Sequence, residues 1–136
     1  MNPSRGFPAN AGGVTVASGW SDHQSSGSAI DALAESGAPL LVVRGNCDAH
    51  PWPLALDLRR AGRRVHLVHI PPRRPPPGAE LVLHGHTHVP RDETDPLGVR
   101  WLNPGCITRP NRGAPAAFAW LHLENGHPAG WLPERL

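Results

Sequence analysis

Three times along this chain a short apolar run ends in a glycine-bearing polar cluster. Leu40-Leu41-Val42-Val43 leads into Gly45-Asn46-Cys47-Asp48, Leu81-Val82-Leu83-His84 into Gly85-His86-Thr87-His88, and Val99–Leu102 into Asn103-Pro104-Gly105-Cys106. Continuous apolar runs of this length mark strands covered on both faces. Sheets of such strands gather their following loops along one edge, where ligands bind. The chain is therefore expected to build a strand-rich core with its chemistry at strand ends.

The remaining elements fit that plan. Leu54 to Arg60 and Arg63 to Ile70 read as two strands joined at Ala61-Gly62. Glu80 to His84, Val99 to Leu102 and Ala116 to Leu123 are further short strands, and Gly130 to Leu136 is one more candidate. A single short helix is predicted, capped by Ser28 and ended by Gly37, with Ile30 and Leu33 on one face. The five prolines between Pro71 and Gly78 exclude helix and inner strand there. Residues 1–27 are polar and turn-prone apart from Val14–Ser18, so the globular domain is expected over 28–136. Glycine (15) and proline (17) together fill close to a quarter of the 136 positions, which assigns much of the chain to loops. The 39% hydrophobic content still suffices for one core.

Several function classes lose support. No apolar run approaches the 18 or so residues of a membrane span, and the first residues lack the apolar stretch of a secretory signal. Formal net charge is only +2, too mild to demand a polyanionic partner. Arg59-Arg60, Arg63-Arg64 and Arg73-Arg74 could contact phosphates, but no aromatic interleaves them, and a solvated basic face is the simpler reading. Nucleic acid therefore ranks last among partners. Cys47 and Cys106 stand far apart, with neither zinc-knuckle nor disulfide spacing, so a reducing cytoplasm is the default.

The chemistry-bearing residues are an amide and three imidazoles: Asn46, His69 at the end of the Val65–Val68 strand, His86 and His88. Neutral imidazole binds zinc, manganese, iron or nickel, and an asparagine carbonyl adds a harder oxygen donor. Taken alone, the His86-Thr87-His88 pair is more simply read as a polar loop.

In their order, Gly45-Asn46-Cys47-Asp48, His69, Gly85-His86-Thr87-His88 and Asn103-Pro104-Gly105 resemble the calcineurin-like metallophosphoesterases, in particular small single-domain microbial phosphodiesterases. The resemblance spans about residues 28 to 136. It implies an α/β fold, a layered β-sandwich flanked by helices, with a two-metal site at the strand ends. It implies Asn46, His69 and His86 as ligands of one metal and His88 of the other. Asp48 would orient the site, and Asn103-Pro104-Gly105 would pack beneath it. Cys47 stands where a proton-donating histidine is common, and a cysteine is a poorer donor.

The family's opening elements, a strand ending in Asp-x-His and another ending in Gly-Asp, are missing. No Gly-Asp pair occurs, and the single Asp-x-His, Asp48-Ala49-His50, overlaps another motif, while Asp22-His23 lacks the spacer. The expected domain is thus N-terminally incomplete. Two divalent ions about 4 Å apart repel by about 17 kcal/mol at an effective dielectric near 20. A bridging aspartate normally offsets this. Asn46, His69, His86 and His88 are neutral donors, so one ion is expected, manganese first and zinc, nickel or iron as alternatives. The implied function is phosphodiester hydrolysis of a small-molecule substrate by metal-activated water, at reduced or lost activity in this chain. A catalytically silent protein-binding module on the same fold is the alternative, and a homo-oligomer is compatible with either.

Overall fold

The computed structural model describes residues 15–18, 40–44, 52–106, 113 and 116–135. They form nine strands: β1 (Thr15–Ser18), β2 (Leu40–Val43), β3 (Ala55–Arg60), β4 (Arg63–Val68), β5 (Leu81–Leu83), β6 (Arg91–Thr94), β7 (Arg100–Asn103), β8 (Ala117–His122) and β9 (Gly130–Arg135). The helix predicted from Ser28 lies outside the described residues.

The central sheet has the order β3-β4-β5-β7-β6. Its middle is parallel, β4 to β5 and β5 to β7, and its two edges are antiparallel. The apolar triplet Leu81-Val82-Leu83 occupies the centre with all three side chains buried, which is why it shows no polar alternation. On β4 only Val65 and Leu67 are buried, because one face of that strand is less covered.

Alternate residues feed two apolar clusters on opposite faces. Val65, Leu67, Leu81, Leu83 and Leu102 join Val43 on one face, and Leu121, Leu123, Ala129 and Trp131 from the β8–β9 hairpin region pack over them. On the other face Val82, Val99 and Trp101 meet Val68. β1 pairs in parallel with β2, so part of the polar N-terminal segment is tied to the core through Val43.

The β3–β4 turn forms where expected. Arg60 faces Arg63 across Ala61 and Gly62, both with positive φ (49° and 75°), the backbone of a two-residue hairpin whose twist matches its strands. The crossover from β4 to β5 is made without a helix, by the proline-rich loop.

β6 has no counterpart in the sequence reading. Arg-Asp-Glu-Thr carries no apolar pattern, and the structure shows why none is needed: it is an edge strand, mostly exposed. Ionic contacts hold it instead. Arg100 Nε and Nη2 donate to the two oxygens of Asp92 at 2.8 and 2.9 Å, and Nη1 donates to the Ala129 carbonyl at 2.6 Å.

These hydrogen bonds hold the Asp92 carboxyl below its usual range. A lowered folded pKa stabilises above the unfolded value and is lost as pH falls through the folded one. Asp92→Asn should therefore cost less than about 1 kcal/mol at pH 7, because the carboxylate is 43% exposed, and nothing once the wild-type carboxyl is protonated. Urea unfolding at pH 7 and near pH 2 checks this. An equal cost at both would mean the loss is steric.

Candidate metal centre

Because β4, β5 and β7 are parallel and in register at Leu67, Leu83 and Leu102, their C-terminal ends fall on one edge. The residues that follow are His69, the His84–His88 loop and Asn103. Main-chain bonds lock these ends together: Gly85 N–H donates to the His69 carbonyl and His84 N–H to the Leu102 carbonyl, both at 3.0 Å.

His69 is buried, at 4% exposure, and His86 is exposed beside it. Their rings lie 5.3 Å apart, centre to centre, and nearly perpendicular at 80°. His86 and His88 both have left-handed backbones, with φ of 73° and 58°. A side chain in that region costs of order 1–3 kcal/mol and persists only where its surroundings determine it.

Asn103 is a large part of those surroundings. It is fully buried, and its Nδ2 donates to the Gly85 carbonyl at 3.3 Å and to Thr87 Oγ1 at 3.0 Å. Its Oδ1 accepts the Gly105 N–H at 2.9 Å. The histidine loop is thus stapled onto the end of β7.

Two residues outside the sequence motifs complete the edge. His84 is buried, with Nδ1 3.0 Å from the Gly85 carbonyl and Nε2 3.1 Å from Arg91 Nη1. A carbonyl can only accept and a guanidinium can only donate, so His84 carries its proton on Nδ1 and is neutral. Burial pushes its pKa down, and the Arg91 charge adds to that. The Arg91 guanidinium stacks 4.8 Å above the Trp101 ring and pairs with Glu93. Pro71, His84, His86, Thr87 and Arg91 line an open groove of ≈ 540 Å³. In the sequence, His84 looked like the last residue of a strand, and Arg91 belonged to no motif.

Of the expected ligands, His69 and His86 are brought together. His88 is not gathered with them: among the described residues no three histidine, cysteine or carboxylate side chains are placed to hold an ion. The same-face rule for i, i+2 residues needs an extended strand, and the left-handed turns at His86 and His88 abolish it. Asn46, Cys47 and Asp48 lie outside the described residues, as do Asp22, His23 and His50. Two adjacent imidazoles fit half the shell of one borderline-soft divalent ion. For a pair of ions the fit fails among the described residues, since no carboxylate stands with the imidazoles to bridge them.

The fold has solved counterparts. A phosphoesterase from E. coli, Yfce, is 20% identical, with a TM-score of 0.59 over 78% of this chain and 86% of its own. A conserved predicted phosphoesterase from Streptococcus pneumoniae is 16% identical, with a TM-score of 0.59 over 89% of this chain and 97% of its own. Vps29 from Entamoeba histolytica, solved with zinc, is 14% identical, with a TM-score of 0.59 over 90% of this chain and 81% of its own. No curated protein matches the chain. The family model of the calcineurin-like phosphoesterase superfamily domain matches residues 13–126, most of the length. With its mixed sheet and with His69, His86 and Asn103 at the parallel strand ends, the chain belongs to the calcineurin-like phosphoesterase superfamily.

Proposed function

We propose that the chain is a one-ion phosphodiesterase acting on a small phosphoester. The observation that carries this reading is the His69–His86 pair, 5.3 Å apart at the edge where three parallel strands end. His69 and His86 would hold a divalent ion, manganese by preference, with Asn46 as a further donor. Such an ion polarises a phosphoryl oxygen and lowers the pKa of a bound water. Arg91 lines the same groove and offers a guanidinium to the non-bridging phosphate oxygens, its charge partly offset by Glu93. Asn103 fixes the loop bearing His86, Asp48 orients the ligands, and Cys47 stands in reserve as proton donor to the leaving group.

The neutral donor set limits the site to one ion. Elemental analysis after manganese loading and dialysis should give one ion per chain. Hydrolysis of bis-p-nitrophenyl phosphate should be manganese-dependent and at least about a hundredfold slower than in a two-ion relative. The second ion's hold on the leaving oxygen is worth several kcal/mol, and each 1.36 kcal/mol is tenfold. Two ions per chain would show that a carboxylate such as Asp22 or Asp48 supplies the bridge. The same shortage of carboxylates favours a second reading, a silent protein-binding module. A chain that holds its ion but turns over no phosphodiester would select it.

A further inference from the structure

The arginine pairs, which the sequence left as a solvated face, acquire a definite arrangement in the fold. Strand register sets Arg59 directly opposite Arg64 on one face of the β3–β4 hairpin. Like charges facing each other across strands destabilise a sheet. Both side chains are exposed, and among the described residues neither guanidinium has a carboxylate partner. The two acids nearby are otherwise engaged: Asp57 pairs with His66 at 2.8 Å, and Glu80 accepts the Arg64 main-chain N–H at 2.9 Å.

The proline loop extends this charge across the molecule. β4 and β5 are parallel, so the loop must return from the His69 end of the sheet to the hairpin end. Pro71 lines the groove of His86 and Arg91, whereas Pro76 and Pro77 line a second groove with Arg59 and Arg64. Between them Arg73 and Arg74 are exposed. At Gly78 the loop lies against the Arg64 side chain so closely that a Cβ there would fall 2.5 Å from Nη1. From Pro71 to Pro77 the chain can reach at most about 20 Å. That span matches about six successive phosphates of a nucleic-acid strand.

We propose that Arg59, Arg64, Arg73 and Arg74 form a track that binds the phosphate backbone of nucleic acid without reading its bases. Guanidinium suits phosphate through its rigid fork of donors, and the track has no aromatic residue on which bases could stack. Repulsion between Arg59 and Arg64, a cost to the isolated fold, becomes a gain when a polyanion lies across them. This surface is independent of the phosphoesterase reading.

The test is fluorescence anisotropy of a labelled 20-base-pair duplex with the full chain and no added metal. Four phosphate contacts predict a slope of log affinity against log salt of about −3.6, hence a loss of about a hundredfold between 50 and 200 mM salt. The double variants Arg59→Gln with Arg64→Gln, and Arg73→Gln with Arg74→Gln, should each bind at least about tenfold more weakly and flatten the slope by nearly 2. The first should also unfold at higher urea, since the opposed charges are gone. Binding that is absent at 50 mM salt, or unchanged in both variants, overturns the proposal. So does binding to vesicles of phosphatidylserine with none to the duplex. Since no metal or turnover enters the measurement, failure of the hydrolytic reading leaves it intact.

Discussion

In His86→Ala, manganese-dependent hydrolysis of bis-p-nitrophenyl phosphate falls by at least about a hundredfold, to the level left by a chelator. The His69–His86 pair supplies half the donors of a single-ion site, and the described residues offer no third histidine, cysteine or carboxylate beside it. An ion with so few donors does not survive the loss of one imidazole; altering a group that merely orients a ligand already costs 10–100-fold in affinity. His86 is the informative member of the pair because it is exposed. Alanine retains the Cβ and the left-handed backbone, so the urea midpoint should move by less than about 0.5 kcal/mol in equivalent stability. His69→Ala should abolish activity as well, but at 4% exposure it also opens a void beneath the loop and lowers stability. Loss of activity with an unchanged unfolding curve in His86→Ala places the ion at the pair. Activity that remains chelator-sensitive in this variant would place it elsewhere. Activity that survives both treatments would belong to a contaminating phosphatase.

How much of this was legible in the sequence depends on which physical signal each element carries. β5 announces itself because a covered strand is apolar throughout, and the β3–β4 hairpin because Ala61-Gly62 interrupts two alternating runs. β6 was invisible because an exposed edge strand held by Arg100 and Asp92 has no hydrophobic period to detect. The motifs located His69, His86 and Asn103 at one sheet edge, since parallel strands must end together. They could not show that His86 and His88 take left-handed backbones, which remove the same-face rule for an i, i+2 pair, because that conformation depends on the bonds around Thr87 and Asn103. His84 and Arg91 were missed for a related reason. Their partnership is a tertiary hydrogen bond between a strand end and the next strand, with no spacing rule behind it. The cross-strand opposition of Arg59 and Arg64 was implicit in the two-residue turn, yet it acquires meaning only beside Gly78 and the proline loop.

Asn103→Ala separates the support of the site from the site itself, and it should lower both stability and ion affinity. The wild-type amide is fully buried and makes three hydrogen bonds, to the Gly85 carbonyl, Thr87 Oγ1 and the Gly105 N–H. Each net bond is worth about 1 kcal/mol, and an N–H left unpaired in a buried setting costs more. The Gly85 carbonyl keeps a donor in His84 Nδ1, so the larger penalty falls on Gly105. A total loss of about 2–3 kcal/mol is expected. With a urea slope of 1–3 kcal/mol per molar for a small protein, the midpoint drops by about 1 M. The loop is then free to relax its left-handed turns, which move His86 away from His69 and weaken manganese binding even where the chain is still folded. Asn103→Asp discriminates further: it keeps an acceptor for Gly105 but sets a second acceptor against the Gly85 carbonyl and buries a charge, so it should be the less stable variant at pH 7. An Asn103→Ala protein with the wild-type urea midpoint would show that the amide does not staple the loop. Normal manganese affinity in a destabilised Asn103→Ala protein would show that the positive-φ turns at His86 and His88 are held by something else.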